Sequence, residues 1–478
     1  MMSRYTTFRY CLDPTVEQSV MLARHAGAAR FAFNQSLDFV KTALTKRKTT
    51  PEHPVPWSRF DLINAFNTWK KTEAAGRVFV INATGVTEVQ VTGLAWRTEV
   101  CQQVFEEAAV DCGRALAAFS DSRTGKRAGR RIGFPRFKKK TKTVPAFRIR
   151  NKHAKAGRAA IRVGDQGAAR SVMLPGIGAL RVRDDTRRLR RMLSKGRAKI
   201  LYATVSYRAR RWWISLTTEA SDLHFAHHHR PREDRDEGGW VGIDRGLTAF
   251  VVAANADGTE VGRIDTAPKP LATGLDRQRR LAKSLSRKQK GSHNHRQAVT
   301  RLARHHHKIA NIRRHFAHQV ANRLVKTHDR LVVEDLNVVG MLGNRCLARA
   351  ISDVGWSDFA RLLVYKQAWR GGAVTVADRW YPSSKRCSAC GTINPTQSLA
   401  DRVFFCDCGF RADRDHNAAI NLALWPTMQQ TFSRSPDPRA GGRVTNVRRR
   451  EGADRHLVGI GETVPVDAET EVPATCGA

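Results

Sequence analysis

The stretch from Cys387 to Leu422 constrains the fold more than any other. It reads CSACG, a spacer of fifteen residues between Cys390 and Cys406, CDCG, and then DRDHNAAINL. Four of the nine cysteines, Cys387, Cys390, Cys406 and Cys408, fall within 22 residues, each pair followed closely by Gly391 or Gly409. Two close thiol pairs joined by a short loop can close a tetrahedron of sulfur around one metal. Zinc suits four thiolates without redox chemistry, and such a site, having no open position, is structural. Chance clustering of structural cysteines is the competing reading. Lys385, just before the first pair, is a candidate nucleic-acid contact.

The segment after the second pair predicts a helix rich in small residues. Asp415, Ala418, Ala419 and Leu422 share one face, at i, i+3, i+4 and i+7, and the two alanines allow close approach to a sheet. Asp415 therefore points at the packed surface, and Asp413 is better placed as an N-cap. Both acids serving as caps or ion-pair partners is the bland alternative.

Two upstream strands carry further acids. Trp240–Asp244 is an apolar strand with an acid read at its centre, followed by a second apolar strand over Leu247–Ala253. The pair suggests the hairpin that opens an RNase H-like sheet. Arg330–Leu336 is another buried strand, ending in Glu334 and Asp335. A buried unpaired carboxylate is costly, so Asp244 calls for a metal or a cation. Asp244, Glu334 and Asp415 form the oxygen-ligand set that two divalent ions need for phosphodiester hydrolysis, with magnesium or manganese preferred. Asp335 is the alternative to Glu334, but neighbouring strand residues face opposite ways, so only one reaches the site.

Composition points to a polyanionic partner. Lysine and arginine total 83 against 43 acids, a formal charge of +40 spread along most of the 478 residues. Gly133–Lys140 interleaves Phe134 and Phe137 with Arg136, Lys138 and Lys139, a mixture suited to backbone tracking and base stacking. A solvated loop anchored by its two phenylalanines is the alternative. The basic helical stretch 275–328, with Arg277, Arg280 and Lys283, has sparse apolar positions and is expected to lie against nucleic acid; a solvated charged hairpin is the alternative. No apolar run long enough to span a membrane and no signal-peptide pattern stand in the sequence, so a cytosolic, reducing location is expected. Cys11, Cys101, Cys112, Cys346 and Cys476 read as buried or free thiols.

The rest of the chain supplies organisation. A strand over 4–12 leads through Asp13-Pro14-Thr15 into a helix from Val16 to about Asp38. A loop is expected over 44–56, helices over 58–71 and 98–120, and a short hairpin between Val78 and Thr92. Short strands between 144 and 220 read as a small β-barrel or sandwich. His227-His228-His229, in a polar linker over 222–238, reads as a joint more than a metal site. A helix over 356–371 and a strand over 373–377 precede the cysteines. Residues 425–478, rich in Pro, Gly and charge, read as a disordered tail.

With these residues in hand, the chain resembles the TnpB family: transposon-encoded, RNA-guided nucleases related to compact type V CRISPR effectors. Gly242-Ile243-Asp244-Arg245-Gly246, Val333-Glu334-Asp335-Leu336 and Asp413-Arg414-Asp415-His416-Asn417-Ala418-Ala419 resemble the three RuvC motifs. Trp380–Gly391 and Phe405–Gly409 resemble the zinc ribbon, with Cys-x-Cys where the pattern is usually Cys-x-x-Cys. Leu12-Asp13-Pro14-Thr15 and Gly133-Phe134-Pro135-Arg136-Phe137 also match, and the resemblance spans nearly all of 4–424. It implies an α+β multidomain fold. A wedge β-barrel (1–13 and 131–237) is interrupted by a helical recognition domain (14–130). A RuvC domain (238–380 and 411–424) holds an inserted zinc ribbon (381–410). It also implies one structural zinc, two Mg2+ or Mn2+ ions on Asp244, Glu334 and Asp415, a guide RNA, and target DNA next to a short flanking motif. The implied state is a monomeric ribonucleoprotein near the nucleoid. A guided binder without cleavage and an accessory transposition protein are the competing functions.

Overall fold

The computed structural model describes residues 4–82, 85–127, 130–152, 159–165, 168–220, 225–230, 239–398 and 401–433. The chain divides into two compact units at Ser221/Asp222.

The first unit opens with strand β1 (Arg4–Cys11) and helix α1 (Val16–Thr49). Thr15 starts the helix through a reciprocal pair: its hydroxyl accepts from Gln18 N at 3.2 Å, and the Gln18 side chain accepts from Thr15 N at 3.1 Å. The loop expected from residue 44 begins only after Thr49. Ala43 is buried, and Lys46, Arg47 and Lys48 are good helix formers whose charge suits a helix C-terminus. Helix α2 (Arg59–Trp69), the hairpin β2 (Arg77–Ile81) and β3 (Thr87–Thr92), and helix α3 (Gln102–Arg123) follow.

Short strands come next: β4 (Ala146–Arg150), β5 (Arg162–Val163), β6 (Ser171–Leu174) and β7 (Gly178–Arg181). After helix α4 (Arg187–Ser194), the long hairpin β8 (Ala198–Arg208) and β9 (Arg211–Ala220) closes the unit. The expected barrel or sandwich takes the form of two antiparallel sheets, β1-β9-β8-β4 and β5-β6-β7, joined by a bridge between Leu12 and Val182. A single apolar core unites them with the helices. Leu22, Ala26, Phe33 and Leu37 of α1 meet Phe105 and Leu116 of α3 and Phe147, Val205 and Ile214 of the larger sheet.

The second unit is built on a five-stranded sheet. Strands β10 (Trp240–Asp244), β11 (Val251–Asn255) and β12 (Glu260–Ile264) form an antiparallel meander. The strand expected over Leu247–Ala253 begins only at Val251, because Gly246 turns back to donate to Ala249 O at 3.0 Å. Helices α5 (Pro270–Thr273), α6 (Leu275–Ser286) and α7 (His293–Thr327) lead to β13 (Arg330–Glu334), which lies parallel to β10. Helices α8 (Val338–Met341), α9 (Ala348–Val354) and α10 (Trp356–Ala368) then return the chain to β14 (Ala373–Ala377), parallel to β13. The sheet order is β12-β11-β10-β13-β14. One face is covered by α7 and α10 through Ala317, Val320, Leu324, Phe359 and Leu363. The basic stretch is thus exposed along α6, while the C-terminal half of α7 is core.

The cysteine segment carries a small hairpin, β15 (Val403–Phe405) and β16 (Arg411–Asp413), and ends in helix α11 (Arg414–Ser433). Ala419 and Leu422 pack against the other face of the sheet, and Ala418 is buried beside them on the helix. The tail expected from 425 starts as helix. Trp425 packs on Tyr381 with ring centroids 4.6 Å apart, and Pro426 is buried. Residues 434–478, where the rest of that tail and Cys476 fall, lie outside the described residues. The histidine linker is pinned: His229 N donates to Arg370 O, and Arg370 Nη1 donates to His227 O, both at 2.8 Å. No helix among the described residues is long and apolar enough to cross a membrane.

Candidate active site and cysteine cluster

Parallel pairing of β10 with β13 sets Ile243 opposite Val333, so Asp244 and Glu334 leave the sheet side by side at the carboxyl ends of neighbouring strands. Asp244 is therefore at the end of its strand and not at the centre. The apolar run before it, Val241-Gly242-Ile243, is the whole buried span. In open sheets the carboxyl ends of parallel strands are where ligand sites gather.

The third acid arrives with α11, which lies unusually close to β10. A Cβ on Gly242 would stand 1.9 Å from Ala419 O, so only glycine fits there. That contact brings the first turn of α11 to the same end of the sheet. Asp415 Oδ2 lies 3.7 Å from where a Cβ on Gly246 would be.

The electrostatics register the convergence. Burial, then the charges of Glu334 and Asp415, push the Asp244 carboxyl well above the usual carboxylate range, opposed by Arg414 and Arg245. Asp244 keeps partial solvent contact by surface area although it is set deep among protein atoms. Two arginines serve the cluster. Arg414 Nη2 lies 3.2 Å from Asp415 Oδ1, both side chains 13% exposed. Arg245, 5% exposed, donates to the backbone carbonyl of Glu334 and, at 3.3 Å, to that of Trp356. Burial lowers its pKa, and Glu334, Asp244 and Asp335 oppose that shift.

The neighbouring acids do other work. Asp413 Oδ1 accepts from His416 N at 2.9 Å, capping α11, and pairs with Arg263 at 3.3 Å. Asp335 pairs with Arg379 at 2.6 Å.

The four cysteine sulfurs lie within 4.8 Å of one another, and among the described residues no other set of three or more His, Cys, Asp or Glu ligand atoms does so. The three acids are therefore more loosely grouped than the thiols. The separations Cys387–Cys408 and Cys390–Cys406 are 3.7 and 3.5 Å. Thiolates about 2.3 Å from a tetrahedral zinc stand roughly 3.8 Å apart, so the cluster has the right size. The turns after Cys390 and Cys408 pass through Gly391 and Gly409, at φ +80° and +89°. The crowded thiols shift in opposite directions: hydrogen bonding at Thr392 lowers the Cys390 pKa to about 6, whereas, against backbone hydrogen bonds, burial and the neighbouring thiols raise Cys406, and the Cys390 thiol and burial raise Cys408.

The expected nucleic-acid residues divide by exposure. Arg136, Lys139, Arg277, Arg280 and Lys283 are exposed. Phe134 packs on Phe119 at 5.3 Å, and Lys138 stands 3.7 Å over the Phe33 ring while its backbone pairs with Asn34. Phe134 thus anchors the loop to α3, and Lys138 anchors it to α1. Phe137 remains 42% exposed with Lys41 4.1 Å over its ring. Lys385 donates to Pro395 O at 3.2 Å, across the first knuckle.

Reading the sequence missed several residues: Arg245, Arg414, Ser383, Asn417 and Asn421. The asparagines had a signal, lying four apart on the buried face of α11 and both fully buried. Asn417 Nδ2 donates to Arg386 O at 2.7 Å, and Asn421 Nδ2 to Arg386 O at 2.6 Å and Ser383 O at 2.9 Å.

Comparison with known proteins identifies relatives of the chain. A family profile described as "Probable transposase", OrfB of IS605, matches residues 224–345. A "Cas12f1-like, TNB domain" profile matches 356–422. A "Helix-turn-helix domain" profile matches 1–49, of which the described residues 4–49 form one strand and one long helix. A Mycobacterium tuberculosis H37Rv protein, named a candidate RNA-guided DNA endonuclease, is 34% identical over 428 residues, covering 87% of this chain and 86% of its own. Escherichia coli K12 InsQ, similarly named, is 28% identical over 437 residues, covering 88% and 92%. The solved Cas12f1–sgRNA–target DNA complex aligns with 88% of this chain and 99% of that one, at 14% identity and a TM-score of 0.44.

Proposed function

The chain belongs to the TnpB family, and from that premise we propose that it is an RNA-guided DNA endonuclease with a RuvC-type divalent-metal centre on Asp244, Glu334 and Asp415. The observation that carries the reading is the meeting of these acids at one end of the sheet, with Asp244 raised by burial and its two partners.

The donor set fits hard divalent cations: Arg414 pairs with Asp415 and Arg245 donates to backbone carbonyls, so three carboxylates converging on one end of the sheet carry more negative charge than the arginine beside them balances. Two Mg2+ or Mn2+ ions held there would supply activation of the attacking water and charge relief at the leaving oxygen. The protein's own part is positioning. Arg245 ties the end of β13 to the start of α10, holding the Glu334 backbone in place. Arg414 orients Asp415 from the preceding position. Gly242 sets the distance between β10 and α11. Cys387, Cys390, Cys406 and Cys408 would hold one structural zinc.

In this reading 1–13 with 131–237 is the wedge, 14–130 the recognition domain, 238–380 with α11 the RuvC domain, and 381–410 the target-binding ribbon. Guide RNA pairs with the target strand while protein holds the backbones and reads a flanking motif. Exposed Arg136, Lys139, Arg277, Arg280 and Lys283 supply phosphate contacts. The working form is a monomeric ribonucleoprotein at the nucleoid, acting on double- and single-stranded DNA.

Cleavage assays with and without co-purified RNA test the reading. Asp244→Ala, Glu334→Ala and Asp415→Ala should each abolish cutting and keep RNA-dependent DNA binding, whereas Asp413→Ala should keep cutting. Cutting that survives in all three, or wild-type protein that binds guided DNA without cutting it, overturns the proposal.

A further inference from the structure

Ser383 stands between the cysteine cluster and the acids. It is 3% exposed, and its Oγ donates to Glu334 Oε1 at 2.7 Å. Its backbone is fixed on both sides: the amide donates to Tyr381 O at 2.9 Å, and the carbonyl accepts from Asn421 at 2.9 Å. Four residues on, Cys387 is fully buried. The intervening Arg386 carbonyl is held by Asn417 and Asn421, and Ser388 N donates to Asn417 Oδ1 at 3.0 Å. Both asparagines belong to α11, the helix that carries Asp415. Tyr381 OH adds a bond to Asn421 O at 3.1 Å. The base of the first knuckle is thus locked to the helix bearing one acid and reaches, through Ser383, to another.

We infer that Ser383 is a positioning residue for Glu334, and that it ties the geometry of the acid centre to the cysteine cluster. The inference rests on the assignment of Glu334 as a metal-binding acid. The chemistry is that of an outer-shell partner. A hydroxyl donating to one carboxylate oxygen restricts the carboxylate's rotation about its last bond and occupies one lone pair of Oε1, which sets the direction in which Glu334 would present its oxygens to a cation. A hydrogen bond to an ionised acceptor is among the stronger ones. Loss of such a partner costs roughly 10–100-fold in metal affinity or activity.

The test uses the guide-loaded full chain, with Mn2+ binding followed by the paramagnetic signal of the free ion and cleavage measured in parallel. Glu334→Ala supplies the baseline for ions held by RNA alone. Ser383→Ala should keep its zinc and its RNA-dependent DNA binding. Its Mn2+ midpoint should rise roughly 10–100-fold, and its slower cutting should recover as Mn2+ is raised. Ser383→Thr, which keeps a hydroxyl, should hold a midpoint near wild type. A wild-type midpoint in Ser383→Ala overturns the inference, and so does a Ser383→Thr variant as impaired as the alanine. Loss of zinc or of DNA binding in Ser383→Ala also overturns it, since the serine would then be a structural element of the ribbon. If Glu334→Ala itself cuts and binds Mn2+ like wild type, the metal-centre reading fails instead.

Discussion

Replacing Gly242 by alanine should damage both stability and chemistry, through one contact. The added Cβ would lie 1.9 Å from Ala419 O, 2.5 Å from Ala423 N and 2.8 Å from Leu422 Cβ, and the first two are backbone atoms. Restoring an ordinary 3.4 Å contact with Ala419 O requires α11 or β10 to retreat by about 1.5 Å. Overpacking of this kind costs about 1–3 kcal/mol. For a unit of this size each kcal/mol lowers Tm by about 2–4 °C, so a drop of roughly 2–12 °C is expected. Asp415 sits one turn from Ala419 and moves with the helix. A misplacement of about 1 Å among reacting groups can cost on the order of 100-fold in rate. Thermal melting and single-turnover cleavage of the guide-loaded protein measure the two effects, with guided DNA binding as the control for folding. Gly262→Ala is the matched control: nothing stands within 4 Å of a Cβ there. A Gly242→Ala variant that melts and cuts like wild type would refute the claim that this approach sets the site.

Metal analysis should find about one zinc per chain, and stripping it should cost both ribbon stability and cutting, because the first knuckle is bonded to α11; a zinc-free protein cutting at full rate refutes this. Arg277→Ala, Arg280→Ala and Lys283→Ala combined should lower the log–log salt slope of nucleic-acid binding by about 2–3, at about 0.7–0.9 per lost phosphate contact. An unchanged slope would place α6 away from nucleic acid. His318 has a pKa lowered to about 4, first by burial and then by Lys366, Arg314 and His315. Its folded pKa is below the unfolded 6.5, so its contribution is complete above pH 6.5 and is lost as pH falls toward 4. Melting across that window should show His318→Gln losing less stability than wild type, and parallel curves would count against the assignment.

The cysteine cluster was legible in the sequence because its four thiols are local, and spacing alone restricts them. Asp415 was legible over Asp413 because helical periodicity separates a packed face from a cap. Periodicity could not show that Asp244 ends its strand, since that boundary is set by the turn from Gly246 to Ala249 and by pairing with β13. Arg245 and Ser383 escaped for a related reason: their partners, the carbonyls of Glu334 and Trp356 and the Glu334 carboxylate, come from distant parts of the chain. The aromatic–basic loop was only half readable. Composition could not distinguish Lys138, seated on Phe33, from its exposed neighbours Arg136 and Lys139. The helical start of the tail was hidden because Pro426 reads as a breaker, yet it sits buried in a helix beside Trp425, whose ring packs on Tyr381.

The continuous core of the first unit bears on how such chains can be recombined. The α1–α3 helices and the β1-β9-β8-β4 sheet bury their side chains in one another, so the helical segment is not a cassette. Grafting 14–130 from a relative would exchange half of a packed interior and leave the other half mismatched. A crossover at Ser221/Asp222 leaves that interior whole. Chimaeras joined there should fold far more often than chimaeras that swap the helices alone.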